Sequence, residues 1–387
     1  MATRFSCFPA VSVAFFLALS FGGNRGQAAE PQRVDVFVGG QDGYVCYRIP
    51  SLIATPKGTL LAFCEGRKFR GMDESPTDMV MKRSLDGGKT WLPMQIVVKA
   101  VPEAAMDPCP VIDRTTGDVI LVYDLWPEYI KGTWPKDYKR KPGLGRDSVT
   151  AWVTTSSDEG ATWSTPVDIT AMAKKPAWSN FIHGPGVGIQ MRSGRIVIPC
   201  CYQMGAWRNF TIYSDDHGKT WHLSDNEVGP GVDESQVVER SDGTLVLNMR
   251  SSRRKGCRAV STSKDGGKTW SELVDCPALP EPVCQGSILR YTWADQRGKS
   301  RMLFSNPGNT KARDTGTIRL SYDEGATWPV AKTIQPGYFG YSCLAVLPDW
   351  TICCLFENVG CRKATLVRFS LDWLTDGKDR MPKSSEK

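Results

Sequence analysis

The chain repeats one eight-residue stretch five times, and the copy SKDGGKTW at Ser263 to Trp270 shows the pattern Ser-x-Asp-x-Gly-x-Thr-Trp. The other copies are SLDGGKTW at Ser84 to Trp91, SSDEGATW at Ser156 to Trp163, SDDHGKTW at Ser214 to Trp221 and SYDEGATW at Ser321 to Trp328. From one repeat aspartate to the next, the steps are 72, 58, 49 and 58 residues. Such spacing is typical of proteins built from similar supersecondary units joined by loops of different length. The sequence therefore predicts a repeat architecture.

Each copy of this eight-residue repeat has the composition of a hairpin turn. Ser and Asp side chains accept hydrogen bonds from backbone N–H groups just ahead of them, Gly adopts a positive φ, and Thr-Trp begins a strand. The indole is too large for one hairpin to cover, so neighbouring units must stack. Catalysis or calcium binding is the alternative role for the aspartates. Five near-identical copies do not suit one asymmetric active site, and an EF-hand loop needs more ligands and a Glu at its last position. We predict a structural role.

Short strand-like runs occur throughout the chain, among them TLLAFCEG, DVILVYD, RIVIPCCYQ and TICCLFEN. Many follow a Gly-Thr, Gly-Asp or Gly-Arg turn signal, and no amphipathic helix of three turns is apparent. This pattern predicts an all-β fold, and a period of about 50 to 70 residues with four strands fits one blade of a β-propeller. Five repeats and a final repeat-free unit from Tyr338 to about Asp372 predict a six-bladed β-propeller. The N-terminal segment is a candidate for the strand that closes the ring.

The N-terminus has the features of a secretory signal. Arg4 precedes a mostly apolar run from Phe8 to Phe21, and small residues follow near Ala28. We predict a signal peptide over residues 1–28 and a secreted or periplasmic protein. No later stretch approaches the ~18 apolar residues of a membrane span. Residues 29–387 are expected to form one propeller domain, from about 33 to 375, because the repeats continue without a Pro/Ser-rich linker.

The charge and the cysteines of the chain limit which ligands and cofactors it is expected to bind. The net charge is +7, and Lys and Arg are spread apart from clusters at 136–141 and 250–258. This distribution favours affinity for small acidic groups over nucleic-acid binding. Most of the thirteen Cys residues lie in apolar strand-like runs, where cysteine behaves as a small buried hydrophobe. Because CxxC pairs are absent and only three His occur, we expect neither a metal site nor a cofactor.

Further motifs stand between the repeats. They are YRIP from Tyr47, GPGVGIQ from Gly184, ESQVVE from Glu234, NMRS from Asn248, SNPGN from Ser305, YSCLAVLPD from Tyr341 and LFE from Leu355. In this order, and together with the eight-residue repeat, they resemble the secreted exo-sialidases (neuraminidases) of the six-bladed propeller type. The resemblance covers nearly the whole chain after residue 28. It implies retaining hydrolysis of terminal α-linked sialic acids on glycoproteins, glycolipids and oligosaccharides, through a tyrosine nucleophile.

The resemblance also implies how the substrate carboxylate is bound. Arg48 in YRIP and Arg250 in NMRS match two of the three arginines that family members use, and Arg313 matches the third by position. Arg319 is the alternative for the third. Glu357 in LFE matches the acid that braces the first arginine. The remaining implied contacts are Arg67, a fourth arginine at the ring hydroxyls, and Asp107, near the same substituents.

The carboxylate of the sugar also explains a tyrosine nucleophile, for which sialidases are the known exception among retaining glycosidases. A carboxylate attacking a carbon that already bears one would meet like-charge repulsion, whereas a phenol is neutral until it attacks. Ionising a phenol of pKa near 10 at pH 7 costs about 4 kcal/mol, so a base is needed. By motif, Tyr341 matches the nucleophile, Glu234 its base and Asp73 the acid/base. Asp78 is the nearby alternative for the acid/base, and the spacing to the motif DMV at residues 78–80 favours Asp73.

Two other functions stay open at this stage. One is a catalytically silent propeller that binds acidic glycans, which would be expected to lack Asp73, Glu234 or Tyr341; this chain has all three. The other is a hydrolase or lyase acting on another anionic sugar, such as a related nonulosonic acid or a uronic acid. The polar stretch 126–146 is longer than a hairpin loop, and either overhangs a binding site or forms a surface insertion.

Overall fold

A computed structural model describes residue 1 and residues 29–69, 73, 75–127 and 141–381. The predicted signal peptide and most of the stretch 126–146 lie outside the described residues. Strands dominate the described part of the chain, and its helices are single turns of four residues, so the all-β prediction is confirmed. In the same part of the chain, no helix is long and apolar enough to cross a membrane.

The elements run in chain order as follows. The first half contains β1 (Gln32–Val38), β2 (Cys46–Ala54), β3 (Leu60–Arg67), β4 (Thr77–Ser84), β5 (Gln95–Val98), β6 (Ala104–Ile112), β7 (Val119–Trp126), β8 (Thr150–Ser156), β9 (Val167–Asp168), α1 (Thr170–Ala173), β10 (Asn180–His183), β11 (Ile189–Gln190), β12 (Ile196–Met204), β13 (Ala206–Ser214) and β14 (His222–Leu223). The second half contains β15 (Val232–Glu239), β16 (Leu245–Ser251), β17 (Cys257–Ser263), β18 (Val274–Pro280), β19 (Ser287–Thr292), α2 (Ala294–Arg297), β20 (Arg301–Pro307), β21 (Asp314–Ser321), β22 (Val330–Tyr338), β23 (Ser342–Val346), β24 (Ile352–Asn358), β25 (Lys363–Phe369) and α3 (Leu371–Leu374).

The prediction of six blades was wrong. The described strands form four sheets of blade size, which are β10–β14, β15–β18, β19–β22 and β1 with β23–β25, while β2–β9 form one continuous eight-stranded sheet. Within that sheet β4 pairs with β6 in parallel, through Thr77 and Ala104. The reason for the error is physical. The eight-residue repeat marks turns, and it carries no information about where hydrogen bonding between successive strands stops.

The two ends of the chain meet in one sheet. β1 pairs antiparallel with β25, with Gln32 opposite Arg368 and Val38 opposite Lys363. The sheet order is β1-β25-β24-β23. The N-terminal strand therefore completes the sheet that the C-terminal strands begin, as the sequence suggested.

The eight-residue repeats are hairpin turns, as predicted. They connect β4 to β5, β8 to β9, β13 to β14, β17 to β18 and β21 to β22. In the copy at Ser263, the serine hydroxyl donates to Asp265 at 2.7 Å and accepts the Gly267 N–H at 2.9 Å, while Asp265 accepts the backbone N–H and the hydroxyl of Thr269 at 2.9 and 2.6 Å. The same bonds recur in the other four copies. These aspartates are occupied in holding turns.

The core lies within and between the sheets. Strands β3 and β7 are buried along their whole length, because each is a middle strand with packed side chains on both faces. The repeat tryptophans help to join neighbouring units; Trp163, for example, meets Phe63 edge-on with ring centroids 5.8 Å apart. All twelve described cysteines are free thiols, and ten of them are buried. Their role as small buried hydrophobes agrees with the sequence prediction.

Candidate active site

The candidate site forms where strands of several sheets approach one another, with β2 against β6 and β23, and β15 against β19. The strand ladders shift register at three such points, between Arg48 and Ser51 in β2, between Met106 and Cys109 in β6, and between Val232 and Ser235 in β15. A β-bulge breaks the alternation of side chains and redirects them. Arg48, Asp107 and Glu234 all lie at or beside these bulges. Ile49 and Asp107 have φ of 56° and 53°, a strained conformation for a branched residue such as Ile49.

Arg48 is held by Glu357. The carboxylate of Glu357 accepts Arg48 Nε at 2.9 Å and Nη2 at 3.2 Å. It also accepts the backbone N–H of Ile49 at 3.1 Å and that of Tyr341 at 3.2 Å. Burial acts to raise the pKa of Glu357, but Arg48 and the backbone donors outweigh it, and the pKa lies below its ordinary value. Glu357 is therefore a fully buried anion that fixes the arginine and the backbone of the tyrosine together.

Tyr341 stands at the centre of the site. Its hydroxyl donates a short hydrogen bond to Glu234 and accepts one from Arg250 Nη1 at 2.9 Å. Arg250 Nη1 also donates to Glu234 at 2.5 Å. Burial first, and then the negative charge of Glu234, raise the pKa of Tyr341 well above its ordinary value, against the lowering effect of the nearby arginines. The phenol is thus protonated at rest and already bonded to a carboxylate that can accept its proton.

Arg313, not Arg319, joins this centre. The guanidinium carbons of Arg313 and Arg48 lie 5.3 and 5.2 Å from the centroid of the Tyr341 ring. Arg313 donates to the carbonyl of Val283 at 3.3 Å, and among the described residues no carboxylate lies within 4 Å of it. Arg319 is buried and donates to the side chain of Asn306 at 2.8 Å. Three guanidinium groups therefore converge at Tyr341, and one of them has no anionic partner among the described residues.

Arg67 and Asp73 lie on the Arg48 side of the site. Asp73 Oδ1 is 2.9 Å from Arg67 Nη2 and 3.6 Å from Arg48 Nη1, and 57% of the Asp73 side chain is exposed. Asp78, the alternative considered for the acid, is buried elsewhere, where it accepts the Tyr44 hydroxyl at 2.7 Å and the Ala100 N–H at 2.8 Å. The residue brought to the site is Asp73.

Comparison with known proteins identifies the family of this chain. The family model described as a BNR repeat-like domain matches residues 58–353. The sialidase of Micromonospora viridifaciens is 38% identical over 357 residues, which cover 88% of this chain and 54% of that protein. The exo-alpha-sialidase of Aspergillus fumigatus is 30% identical over 365 residues, which cover 87% of this chain and 86% of that protein. The chain belongs to the sialidase family with BNR repeats.

A solved member of the sialidase family has a similar fold. The Hadza microbial sialidase Hz136 superimposes with a TM-score of 0.82 at 33% identity, covering 88% of this chain and 69% of that one. The present chain spans just over half of the Micromonospora relative, 54% of its length.

Two carboxylates in this sialidase-family site were not predicted. Glu65 is buried and accepts Arg67 Nε at 2.9 Å and the backbone N–H of Asp107 at 2.9 Å, so it braces Arg67 as Glu357 braces Arg48. Asp233 is buried, and its Oδ1 lies 3.3 Å from Arg250 Nε. A signal was available for Glu65, since a lone acid in the apolar run LLAFCEGR needs a cationic partner. None was available for Asp233, because strand alternation predicts that it points away from its neighbour Glu234.

Asp107 is buried beside Glu65, in a strongly acidic part of the site. Burial first, and then Glu65, raise its pKa well above the ordinary value. In the described residues, no group of three or more His, Cys, Asp or Glu side chains is arranged to hold a metal ion.

Proposed function

We propose that this chain is an exo-alpha-sialidase that removes terminal α-linked sialic acids with retention of configuration. The observation that carries the proposal is the surrounding of Tyr341. Its hydroxyl is bonded to both Glu234 and Arg250, and two further arginines stand beside its ring. A phenol next to a carboxylate base, within a cluster of cations, suits attack on a sugar carbon that carries its own carboxylate.

Binding begins with the substrate carboxylate. Arg48, Arg250 and Arg313 supply planar donors, and each charge-assisted pair contributes roughly 1.5 to 3 kcal/mol. Arg313 is the most available of the three, because no carboxylate lies within 4 Å of it among the described residues. Arg67, braced by Glu65, is proposed to meet the ring hydroxyls together with Asp107.

Attack then follows from Tyr341. Because the pKa of its phenol is raised by burial, a free phenolate is not present at neutral pH, and the proton has to leave as the bond to the anomeric carbon forms. Glu234 accepts that proton, and Arg250 stabilises the developing negative charge on the phenol oxygen through its 2.9 Å hydrogen bond. The product of this step is a glycosyl-tyrosine intermediate.

Asp73 is proposed to protonate the leaving oxygen and later to deprotonate the water that hydrolyses the intermediate. Its exposed side chain supports this role, because both the leaving group and the water come from solvent. Two displacements at the same carbon give overall retention of configuration.

The substrates in this proposal are sialylated glycoproteins, glycolipids and oligosaccharides, and neither a cofactor nor nucleic acid takes part. We further propose that residues 29–387 form the catalytic unit, and that the protein is exported after removal of residues 1–28. Sequencing the N-terminus of the protein recovered from its host tests the cleavage site.

The deciding experiment follows hydrolysis of a fluorogenic α-sialoside, with the corresponding fluorogenic β-glucuronide as the control substrate. We expect turnover of the sialoside alone. Proton NMR should show the α-anomer of the free sugar released first, and a 3-fluoro sialosyl fluoride should add the mass of the sugar to the peptide that contains Tyr341. Initial release of the β-anomer would exclude the tyrosine mechanism. Binding of sialosides without turnover would indicate a glycan-binding propeller.

A further inference from the structure

Two thiols from opposite ends of the chain lie beside the Arg48–Glu357 ion pair. Cys46 begins β2, two residues before Arg48, and Cys361 follows β24 in the turn to β25, four residues after Glu357. The Sγ of Cys46 lies 3.2 Å from the carbonyl oxygen of Cys361. The same two segments are thus bridged twice, once by the ion pair and once by the contact between the cysteines.

The positions of these thiols allow them to approach. A carbonyl oxygen lies about 2.4 Å from its own Cα by standard bond geometry, so the Cys46 Sγ is within about 5.6 Å of the Cys361 Cα. The Cys361 sulfur is two bonds from that Cα, which makes it a candidate to reach the Cys46 sulfur. Cys361 is half-buried and Cys46 buried, and the neighbouring Cys361 thiol adds to the rise in the Cys46 pKa that burial causes.

We propose that Cys46 and Cys361 are a disulfide-forming pair that links the N-terminal and C-terminal segments of the chain. In the described residues, the last sheet is completed by strand pairing between β1 and β25. A covalent link there closes a chain segment in which the paired residues are 315 positions apart. A disulfide stabilises the folded protein mainly because it lowers the conformational entropy of the unfolded chain, and this effect grows with the length of the closed loop. The pair is therefore well situated to stabilise the fold.

The reaction needs an oxidant of the disulfide class, for which oxidised glutathione serves. The Cys361 thiolate attacks one sulfur of the oxidant, which breaks the S–S bond and releases one reduced glutathione. The Cys46 thiolate then attacks the mixed disulfide on the Cys361 sulfur and releases the second. Two protons and two electrons pass to glutathione, and one S–S bond forms within the protein. Burial raises the pKa of both thiols, so the reaction is expected to accelerate with rising pH.

The link would not remove the ion pair that holds Arg48. Cys361 Sγ lies 3.0 Å from the Tyr338 hydroxyl and 3.5 Å from Glu357 Oε2, and these weak contacts are what the disulfide replaces. Glu357 keeps its bonds to Arg48 and to two backbone N–H groups. The disulfide is therefore expected to raise thermal stability while activity stays close to that of the reduced protein.

The test uses the full chain, incubated either with a reducing agent or with oxidised glutathione at pH 8 and then blocked with an alkylating reagent. Trypsin releases Cys46 in residues 34–48 and Cys361 in residues 333–362. Residues 333–362 also contain Cys343, Cys353 and Cys354, which the reagent alkylates. Only after oxidation do we expect a linked ion, lighter by two hydrogens than the sum of residues 34–48 and of residues 333–362 alkylated at those three cysteines. Cys361→Ser should abolish the linked ion, and Cys276→Ser, at a half-buried thiol elsewhere, should leave it.

Thermal denaturation supplies the second measurement. The oxidised wild type should unfold about 5 °C above the reduced protein, and this difference should vanish in both Cys46→Ser and Cys361→Ser. The proposal is overturned if both thiols are alkylated separately after oxidation, if residues 34–48 carry only glutathione, or if the linked ion persists in Cys361→Ser.

Discussion

Replacing Glu357 with Gln tests the electrostatic support of Arg48. The side chain keeps its size, but the buried site loses one negative charge and one of its two acceptor oxygens. In the wild type, four N–H groups donate to the Glu357 carboxylate, at distances of 2.9 to 3.2 Å. In the variant, an amide can satisfy only some of them.

The expected size of the effect follows from these contacts. Breaking a buried ion pair by changing one partner typically destabilises a protein by about 3 to 5 kcal/mol. Arg48 retains some solvent contact and the second carboxylate of Asp73 at 3.6 Å, so we expect about 3 kcal/mol. If Arg48 then also loses its productive contact with the substrate carboxylate, a further 1.5 to 3 kcal/mol of transition-state binding disappears. That corresponds to a fall of about 10- to 150-fold in kcat/KM.

The assay combines initial rates on a fluorogenic sialoside with thermal denaturation of the same preparations. Glu324→Gln is the matched control, because Glu324 also accepts from an arginine, Arg290, and from the Ser241 hydroxyl at 2.8 Å, but lies in a repeat turn. We expect Glu324→Gln to lower stability without changing kcat/KM. A folded Glu357→Gln enzyme with wild-type kcat/KM would refute the reasoning, as would an equal loss of activity in the control.

Three further predictions concern the centre of the site. Tyr341→Phe should lower kcat/KM by about 1000-fold or more with the fold retained in circular dichroism, because only one hydroxyl is removed; activity near wild type would exclude the nucleophile. Arg313→Ala should lower kcat/KM by about 10- to 100-fold with little change in Tm. Arg319→Ala should lower Tm with little change in kcat/KM, because Arg319 is buried and donates to Asn306. Kinetics and thermal melts of the two variants separate these outcomes. Finally, burial raises the pKa of Asp233 from 3.8 to about 7. The folded protein therefore holds the Asp233 proton more tightly than the unfolded chain does. The contribution of Asp233 to the free energy of unfolding is lost as pH rises from 4 to 7. The Tm of the wild type relative to Asp233→Asn should fall over that range, and parallel Tm profiles would contradict the assignment.

The sequence predicted the parts of this molecule that depend on local chemistry. The repeat turns followed from the hydrogen-bonding capacity of Ser and Asp, and short motifs identified Tyr341, Glu234 and Arg48 as a group that the fold brings together. The number of blades could not be predicted in the same way, because pairing between β4 and β6 depends on how two strands meet in space.

Two carboxylates of the site, Asp233 and Glu65, were not predicted from the sequence. Asp233 and Glu234 are consecutive, and a regular strand would direct them to opposite faces. The bulge between Val232 and Ser235 removes that alternation and allows both acids to reach Arg250. A bulge arises from the pairing of two strands, so a single sequence does not reveal which residue it redirects. Glu65 was a different case, since its need for a partner was visible while the identity of that partner was not.

The pairing of β1 with β25 has a consequence for how the chain is made. A protein emerges from the ribosome N-terminus first, so β1 has no partner strand until residues 363–369 have been synthesised. Arg48 is likewise made long before Glu357, to which it is bonded. Intermediate sheets are able to form as they emerge, whereas the site is completed only when the last strands arrive. A chain that ends before residue 357 therefore has Arg48 without its carboxylate partner, and one that ends before residue 363 has an unpaired edge at β1.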